Sequence, residues 1–554
     1  MNRVVECVPN FSEGRDRDTI AAITSAMERA GAMVLDVDMG AAANRTVVTI
    51  AGTPEAVEAA AFEAIRTASE RIDMRAHRGE HPRIGATDVC PFVPVRGVTM
   101  ADCVAIARRV GERVGRELGI PVYLYAEAAT SAARRSLADI RQGEYEGLPA
   151  KLKDPAWAPD FGPAEFHARS GATVIGAREF LIAYNINLNT RDRTLASRIA
   201  VRLREAGGIA RDPSGEPLRD PDGQNLRVPG LLRNLRAVGW VIEEYGIAQV
   251  SINVLNYRET PLNLIYEEAS RIAASLGVRV TGSEVVGLVP LHALTAVGRA
   301  YLERQGLSPG APESELVHVA IRSLGLSDIR PFTPDEKVIE YRLARGSKTW
   351  ADRTLREFAD QVSLDTPVPG GGSVAAVAGA LAAALSAMVA NLTVRRRGRR
   401  DAGAQWKRLA VEAQDLKDRL LALVHEDSAA FERVLEARRL PADSAERARA
   451  LADATLHAAS VPSEVLRCCE RVAELSEEAA RSGAEVCVSD AGVAAALCAA
   501  AAEGAALNVL INLQDLADEE AASRLRESAD RALRNVRVRV SDTIEGVRAR
   551  LHQP

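Results

Sequence analysis

Short apolar runs alternate with helical periods over the first third of the chain. The spacing predicts strands at Val4–Val8, Met33–Asp38, Arg45–Ala51, Val89–Pro94 and Val122–Tyr125. Amphipathic stretches between them read as helices over Arg17–Ala30, Pro54–Arg71 and Ala101–Leu118, with Thr53 and Pro54 in the N-cap and first-turn positions of the second. A faint internal repeat runs through the same region. Val5-Glu6-Cys7-Val8-Pro9-Asn10-Phe11-Ser12 lines up with Ile182-Ala183-Tyr184-Asn185-Ile186-Asn187-Leu188-Asn189. Each is a strand that breaks at polar residues and enters a helix through an Arg-Asp pair, Arg15-Asp16 or Arg191-Asp192. Thr46–Ile50 followed by Thr53-Pro54 likewise matches Val250–Val254 followed by Thr260-Pro261. Two βαββαβ halves explain this pattern.

From Thr349 onward nearly every segment has a 3.6-residue period. Breaks fall at Pro367–Gly372, Arg395–Gly403, Leu440–Asp443, Val461-Pro462 and Ser482–Ser489, which predicts a bundle of about six to eight helices. Gly207–Gly230, rich in Asp, Arg, Pro and Gly, reads as an exposed loop or hairpin. Pro331–Lys348 reads as a connector. The expected division is 1–178 and 179–330 for the two α/β halves, 331–348 for the linker and 349–554 for the helical part.

At 554 residues the chain exceeds what one core supports. A formal net charge of −5 argues against a general nucleic-acid-binding face, and seven cysteines without a CxxC point to reduced thiols in a cytoplasm. Glu6 stands where a signal peptide needs apolar residues. Val374–Val394, followed by Arg395-Arg396-Arg397-Gly398-Arg399-Arg400, and Ala491–Leu513 are long enough to suggest membrane spans. Both are dominated by small residues, and they contain Asn391, Glu503 and Asn508, so a soluble bundle with closely packed helices is the expectation.

Two polar motifs stand out. His77-Arg78-Gly79-Glu80-His81 matches the H-x-x-E-H spacing of a zinc helix, but Gly79 weakens a helix there and Pro82 pushes His81 away from helical geometry. A solvated turn and an acid–base site remain. Histidine titrates near neutrality and suits proton exchange between an attacking amine and a leaving nitrogen. Val5–Gly14, Leu35-Asp36-Val37-Asp38, Gly79–Gly85, Asp160-Phe161-Gly162-Pro163 and Phe180–Asn187 together resemble glutamate formimidoyltransferase across roughly residues 3–345. The resemblance implies formimidoyl transfer between N-formimidoylglutamate and tetrahydrofolate, with His81 as catalytic histidine and Asp38 as its active-site neighbour. Asn10 and Arg45 are candidates for gripping the substrate amide or carboxylates, a role that suits a bidentate guanidinium. Gly162–Gly171, including Pro163, matches the folate-binding stretch of that family.

The second motif is Gly370-Gly371-Gly372-Ser373, opening an Ala-rich helix. It lacks the lysine of a phosphate-binding loop, so no nucleotide is expected. It reads either as a tight helix-entry turn or as a set of free backbone N–H groups facing a ligand. Asp427 lies on an amphipathic helix, where an acid is ordinarily solvated. Asn508, Asn512 and Asp515 form a stripe on an otherwise apolar helix, as a polar bundle seam or a ligand-lining face. With Ser460-Val461-Pro462 and Ser489-Asp490, these segments resemble the formimidoyltetrahydrofolate cyclodeaminase domain and the homologous methenyltetrahydrofolate cyclohydrolase over roughly 350–550. The resemblance implies that Asp427 is the proton-transfer aspartate.

Two departures are visible: Gly207–Gly230 is longer than that family pattern, and His425-Glu426 precedes Asp427 where an acid is expected. The expectation is thus a multidomain chain, two duplicated ferredoxin-like α/β subdomains followed by an all-α helical bundle. The implied enzyme is a cytoplasmic homo-oligomer built from dimers, with both transferase and cyclodeaminase activity. Tetrahydrofolate, polyglutamylated, acts as substrate and carrier, and no metal, nucleotide, nucleic acid or membrane is involved. Alternatives are a fused cyclohydrolase, a non-catalytic oligomerisation domain, or glycine in place of glutamate.

Overall fold

Pro9 has no backbone N–H to give a ladder, and the first strand divides there into Val4–Cys7 and Asn10–Phe11. Both pieces pair antiparallel with Arg45–Gly52 on one side and Thr87–Arg96 on the other. Met33–Gly40 flanks Arg45–Gly52, so the spatial order is second, third, first and fourth strand. Helices Arg17–Arg29 and Pro54–Arg71 cover one face and bury Val5, Cys7, Phe11, Val48 and Ile50 against Ile20, Ile23, Val57 and Ile65. Helix Met100–Leu118 leads to Val122–Ala126, which pairs parallel with Thr173–Ala177 and so widens the sheet beyond Thr87–Arg96. This is the computed structural model of the chain, which describes residues 3–41, 43–79, 82–210, 212, 216–345, 349–397, 400–514, 516 and 518–552.

The same topology recurs. Ile182–Leu188, Leu235–Ile242, Ile247–Val254 and Val280–Val286, with helices Arg193–Leu203 and Leu262–Ser275, repeat the order second, third, first, fourth. The repeated Arg-Asp pairs mark equivalent positions, because Asp16 and Asp192 are the N-caps of the first helix in each copy and accept backbone N–H bonds. The register is equivalent too. Asp38, Val47 and Asn10 lie side by side across three strands of the first sheet. In the second sheet Trp240, Gln249 and Asn187 occupy the corresponding places. There the three form a hydrogen-bonded ladder, with Trp240 Nε1 donating to Gln249 Oε1 (3.1 Å) and Gln249 Nε2 to Asn187 Oδ1 (2.7 Å).

Within Gly207–Gly230, Gly208–Ile209 and Arg227–Val228 pair as a hairpin against helices Arg193–Leu203 and Leu262–Ser275, on the helix-covered face of the second sheet. Residues 334–344 form two short helices, and Val338 between them makes a parallel bridge to Val289. Contacts divide the chain into two units: Met1–Leu294 with Leu324–Arg345, and Thr295–Ser323 with Gly346–Pro554.

In the second unit the long helices are Gly371–Arg397, Arg400–Arg439, Ala445–Ser482, Val488–Leu513 and Glu519–Leu551, preceded by the shorter Leu355–Val362. Gly371–Arg397 packs on its neighbours through alanine: Ala376, Ala380, Ala382, Ala383, Ala387 and Ala390 are all buried. Gly371–Arg396 and Glu485–Leu513 are long and apolar enough to cross a membrane, but most of the first is buried inside the bundle.

The expected break at Val461-Pro462 does not occur. Ala445–Ser482 is one helix with Pro462 buried inside it. Proline cannot bond the carbonyl four residues back, which is that of Ala458. The side chain of Asn512, on Val488–Leu513, replaces the missing donor: its Nδ2 lies 2.8 Å from Ala458 O. Asn512→Ala is therefore expected to lower the stability of the helical unit by about 1–3 kcal/mol, the cost of an unpaired buried carbonyl. In a Pro462→Ala background, where a backbone N–H returns, the same substitution should cost less than half as much. Urea denaturation of the four proteins measures this, and equal losses in both backgrounds would count against the pairing.

Candidate functional site

The open face of the first sheet, opposite its helices, gathers the polar candidates. Asn10 and Asp38 flank Val47 in register, and Arg45 sits two residues before Val47 on the same face. Asn10 is buried; its Nδ2 donates to Val8 O (2.8 Å) and its Oδ1 accepts from the Arg45 guanidinium. Asp38 is exposed. The Arg45 guanidinium is held below its ordinary pKa by burial, opposed by the field of Asp88 and Asp38 and reinforced by that of Arg141. Its Nε is buried without a partner among the described residues. Asp88, almost wholly buried, accepts from the Ile84 N–H (3.0 Å) and is ion-paired with Arg141. Arg45 therefore presents a half-buried cation whose nearest anions are shared or exposed.

His81, together with Glu80, lies outside the described residues. Its flanks are firmly tied. His77 Nε2 is 2.9 Å from the Asn44 carbonyl, and Nδ1 is 3.3 Å from Arg83 Nε. A carbonyl can only accept and a guanidinium can only donate, so His77 is the neutral Nε2–H tautomer with both ring nitrogens committed. Burial depresses its pKa in the same sense. Arg83, itself buried, forks to Glu144 (2.9 Å) and Glu146 (2.7 Å). Asn44 is the hub: its Oδ1 accepts from the Gly14 N–H and its Nδ2 donates to Arg78 O, both at 2.9 Å. A Cβ on Gly79 would stand 2.2 Å from Ala43 O, so the run can approach this turn only without a side chain there.

Gly162–Gly171 is pinned at both ends. Gly171 (φ 67°) bridges Gly85, just beyond the polar run, whereas Gly162 (φ 81°) packs on Gly115 and Ile120. The structure thus brings Gly171 to the stretch following His81, and Gly162 with the exposed Pro163 to the far end of the same segment. Asn44 and Arg141 were not singled out by sequence, whereas Asp88 closes the polar run that begins at His77. Asn44 at φ 46° had a local signal, since asparagine favours left-handed backbone, but Arg141 reaches Asp88 only through the fold.

In the helical unit, the first turn of Gly371–Arg397 meets Asp427 of Arg400–Arg439. Ser373 donates to the Asp427 carboxyl from its backbone N–H and from Oγ, the latter at 2.9 Å to Oδ2. A Cβ on Gly372 would fall 2.2 Å from Asp427 Oδ1, and one on Gly371 would fall 3.3 Å from Asn508 Nδ2. Gly371, Gly372, Ser373, Asp427 and Asn508 therefore form one constellation, with Gly370 at its edge. Burial raises the Asp427 pKa above the ordinary aspartate value, and the two Ser373 bonds partly oppose it. Asn508 bonds Gly504 O (2.8 Å); Asn512 is turned to Ala458, and Asp515 lies outside the described residues. His425 is exposed, and Glu426 is ion-paired to Arg419, which also holds Glu464.

Residues 4–178 match the family described as Formiminotransferase domain, N-terminal subdomain; residues 183–344 match Formiminotransferase domain, and residues 354–531 match Formiminotransferase-cyclodeaminase. The formimidoyltransferase-cyclodeaminase of Sus scrofa is 42% identical over 561 residues, covering 99% of this chain and 100% of that protein. Glutamate formimidoyltransferase of Streptococcus pyogenes is 41% identical over 55% of this chain and 94% of its own length. Methenyltetrahydrofolate cyclohydrolase of Methylorubrum extorquens is 35% identical over 32% of this chain and 87% of its own length.

The ties around the polar run give a pH signature. Arg83 holds Glu146 below the ordinary glutamate pKa, so the stability this pair supplies is complete at neutral pH and lost as pH falls through the acidic carboxylate range. Arg83→Gln should lower the melting temperature of the α/β unit at pH 7 and make it less sensitive to acid. Calorimetry from pH 7 to 3 checks this, and an unchanged acid slope would remove the ion pair from the account.

Proposed function

The chain belongs to the formimidoyltransferase-cyclodeaminase family, and from that premise we propose that its two units catalyse successive folate reactions. The α/β unit transfers the formimidoyl group of N-formimidoyl-L-glutamate to tetrahydrofolate. The helical unit cyclises 5-formimidoyltetrahydrofolate to 5,10-methenyltetrahydrofolate and releases ammonia, in histidine degradation and one-carbon metabolism. The observation that carries this reading is Asp427: a half-buried carboxyl with a raised pKa, seated at a helix N-terminus whose glycines leave the approach clear.

In the transfer step, N5 of the folate attacks the formimidoyl carbon. His81 takes the N5 proton and returns it to the departing glutamate nitrogen. Arg45 grips a substrate carboxylate, for which its half-buried, underpaired guanidinium is suited; Asn10 fixes that guanidinium, and Asp38 supports the imidazolium. In the second step, N10 attacks the carbon of the protonated formimidoyl group on N5. The N10 proton passes to Asp427, which delivers it to the former imino nitrogen, and the C–N bond breaks to release ammonia. A raised pKa suits a carboxyl that must both take and give a proton. Gly162–Gly171 and Gly370–Gly372, with Asn508, line the folate in their respective sites, and the wholly buried Ser373 stands behind the second.

A polyglutamate tail on the folate keeps the intermediate with the enzyme between the steps. The protein is cytoplasmic, consistent with seven buried cysteines without disulfides. It is a homo-oligomer built from dimers. Val488–Leu513 exposes Val493, Leu507, Leu510 and Ile511, and Gly371–Arg397 exposes Val374 and Leu381, unpartnered apolar surface that a second copy would cover. On this view Leu507→Glu lowers the mass measured by light scattering; an unchanged mass places the dimer contact elsewhere.

Purified protein given tetrahydrofolate and N-formimidoylglutamate should form 5,10-methenyltetrahydrofolate, read by ultraviolet absorbance, with equimolar ammonia. His81→Ala is expected to lose transfer at least a hundred-fold while still cyclising supplied 5-formimidoyltetrahydrofolate. Asp427→Asn should show the reverse. Loss of both activities in either variant contradicts two separate sites. Hydrolysis of supplied 5,10-methenyltetrahydrofolate, with no ammonia released from 5-formimidoyltetrahydrofolate, would favour the cyclohydrolase reading suggested by the Methylorubrum relative.

A further inference from the structure

Ser373 is completely buried, and its hydroxyl meets three oxygens: Asp427 Oδ2 at 2.9 Å, the Val424 carbonyl at 3.2 Å and Ser428 Oγ at 3.2 Å. It has one proton and two acceptors that cannot donate when Asp427 is ionised. With Asp427 as carboxylate, the proton belongs on Oδ2. With Asp427 protonated, the hydroxyl can turn its proton to Val424 O and accept the carboxyl O–H instead. Ser428, also buried, caps the other side of the hydroxyl and keeps water from that role.

We propose that Ser373 is a positioning residue for cyclodeamination, a reversible hydroxyl that holds the Asp427 carboxyl in one place in both of its protonation states. This rests on the assignment of proton transfer to Asp427. The step it serves is balanced: as the N10–C bond forms, the N10 proton goes to Asp427 and the Ser373 hydroxyl turns to Val424 O. As the carboxyl gives that proton to the departing nitrogen and the C–N bond breaks, the hydroxyl turns back to Oδ2. No other group needs to move, and among the described residues the facing elements set no free charge against the carboxyl. Gly371–Arg397 carries no ionisable residue before Arg395, and Val488–Leu513 presents the neutral Asn508. On the carboxyl's own helix, His425 is exposed and Glu426 is bound by Arg419, which also binds Glu464 of Ala445–Ser482.

The test uses the full-length protein and its Ser373→Ala, Ser428→Ala and Asp427→Asn variants, assayed with supplied 5-formimidoyltetrahydrofolate from pH 5.5 to 9, a span of about two units each side of the usual working range. Ser373→Ala keeps the backbone N–H but loses the hydroxyl. Its kcat is expected to fall roughly ten- to a hundred-fold, the range for a hydrogen bond to a charged group. The ionisation reported by the kcat profile should move to higher pH, because a donor to the carboxylate is gone. KM and formimidoyl transfer should hold, and Ser428→Ala should shift the profile less. An unshifted kcat profile in Ser373→Ala, whatever the rate, overturns the inference while leaving Asp427 in place. Full cyclodeamination by Asp427→Asn overturns the assignment beneath it.

Discussion

A half-buried carboxyl resting at the open end of a helix constrains most of the helical unit. An isolated ionised aspartate is costly away from water, and the N–H groups of a helix start are among the few neutral donors that offset it. A Cβ on Gly372 would push the Asp427 carboxyl from its place, and Ser373 brings both its donors to that carboxyl. The helix that delivers this end is nearly all alanine and glycine through its core-facing side, which lets three neighbouring helices come close enough to close the site. One of those, Ala445–Ser482, runs past the site without interruption because Asn512 supplies the bond that Pro462 cannot. The small residues, the proline and the asparagine are parts of one packing problem.

The α/β unit solves a different problem. Its candidate residues come from a sheet face and from a loop whose described residues are tied by side chains as well as by a few backbone bonds. Asn44, His77 and Arg83 do this with bonds that leave neither ring nitrogen of His77 free. Arg83 is buried while its partners Glu144 and Glu146 remain substantially exposed, so its charge is neutralised without burying three ions at once.

Much of this was legible in the sequence because the signals were local. Thr53 caps the helix that its position suggested, and the repeated Arg-Asp pairs mark the duplication, with Asp16 and Asp192 as the caps. The glycine run and Asp427 were both visible, but their contact spans more than fifty positions and only folding brings them together. Pro462 misled for a physical reason: the rule that proline ends a helix assumes no outside donor, and here a distant asparagine provides one. Arg141 and Asn44 escaped because each acts through a partner remote in sequence.

The duplicated sheets share a register but not a chemistry. Across three strands, one copy carries Asp38, Val47 and Asn10, with Arg45 beside them; the other carries Trp240, Gln249 and Asn187. The asparagine is common to both, and the donor to its Oδ1 tells the copies apart: a guanidinium in one, a neutral amide in the other. Such a pair is a record of divergence after doubling. In the second copy the ladder runs on from Asn187 Nδ2 to the Asp328 carboxylate (3.0 Å), which Thr281 also holds, so its one anion is spent inside the fold. In the first copy the ladder ends on an arginine with an unmatched Nε, so the same backbone register yields a closed joint in one half and an open socket in the other.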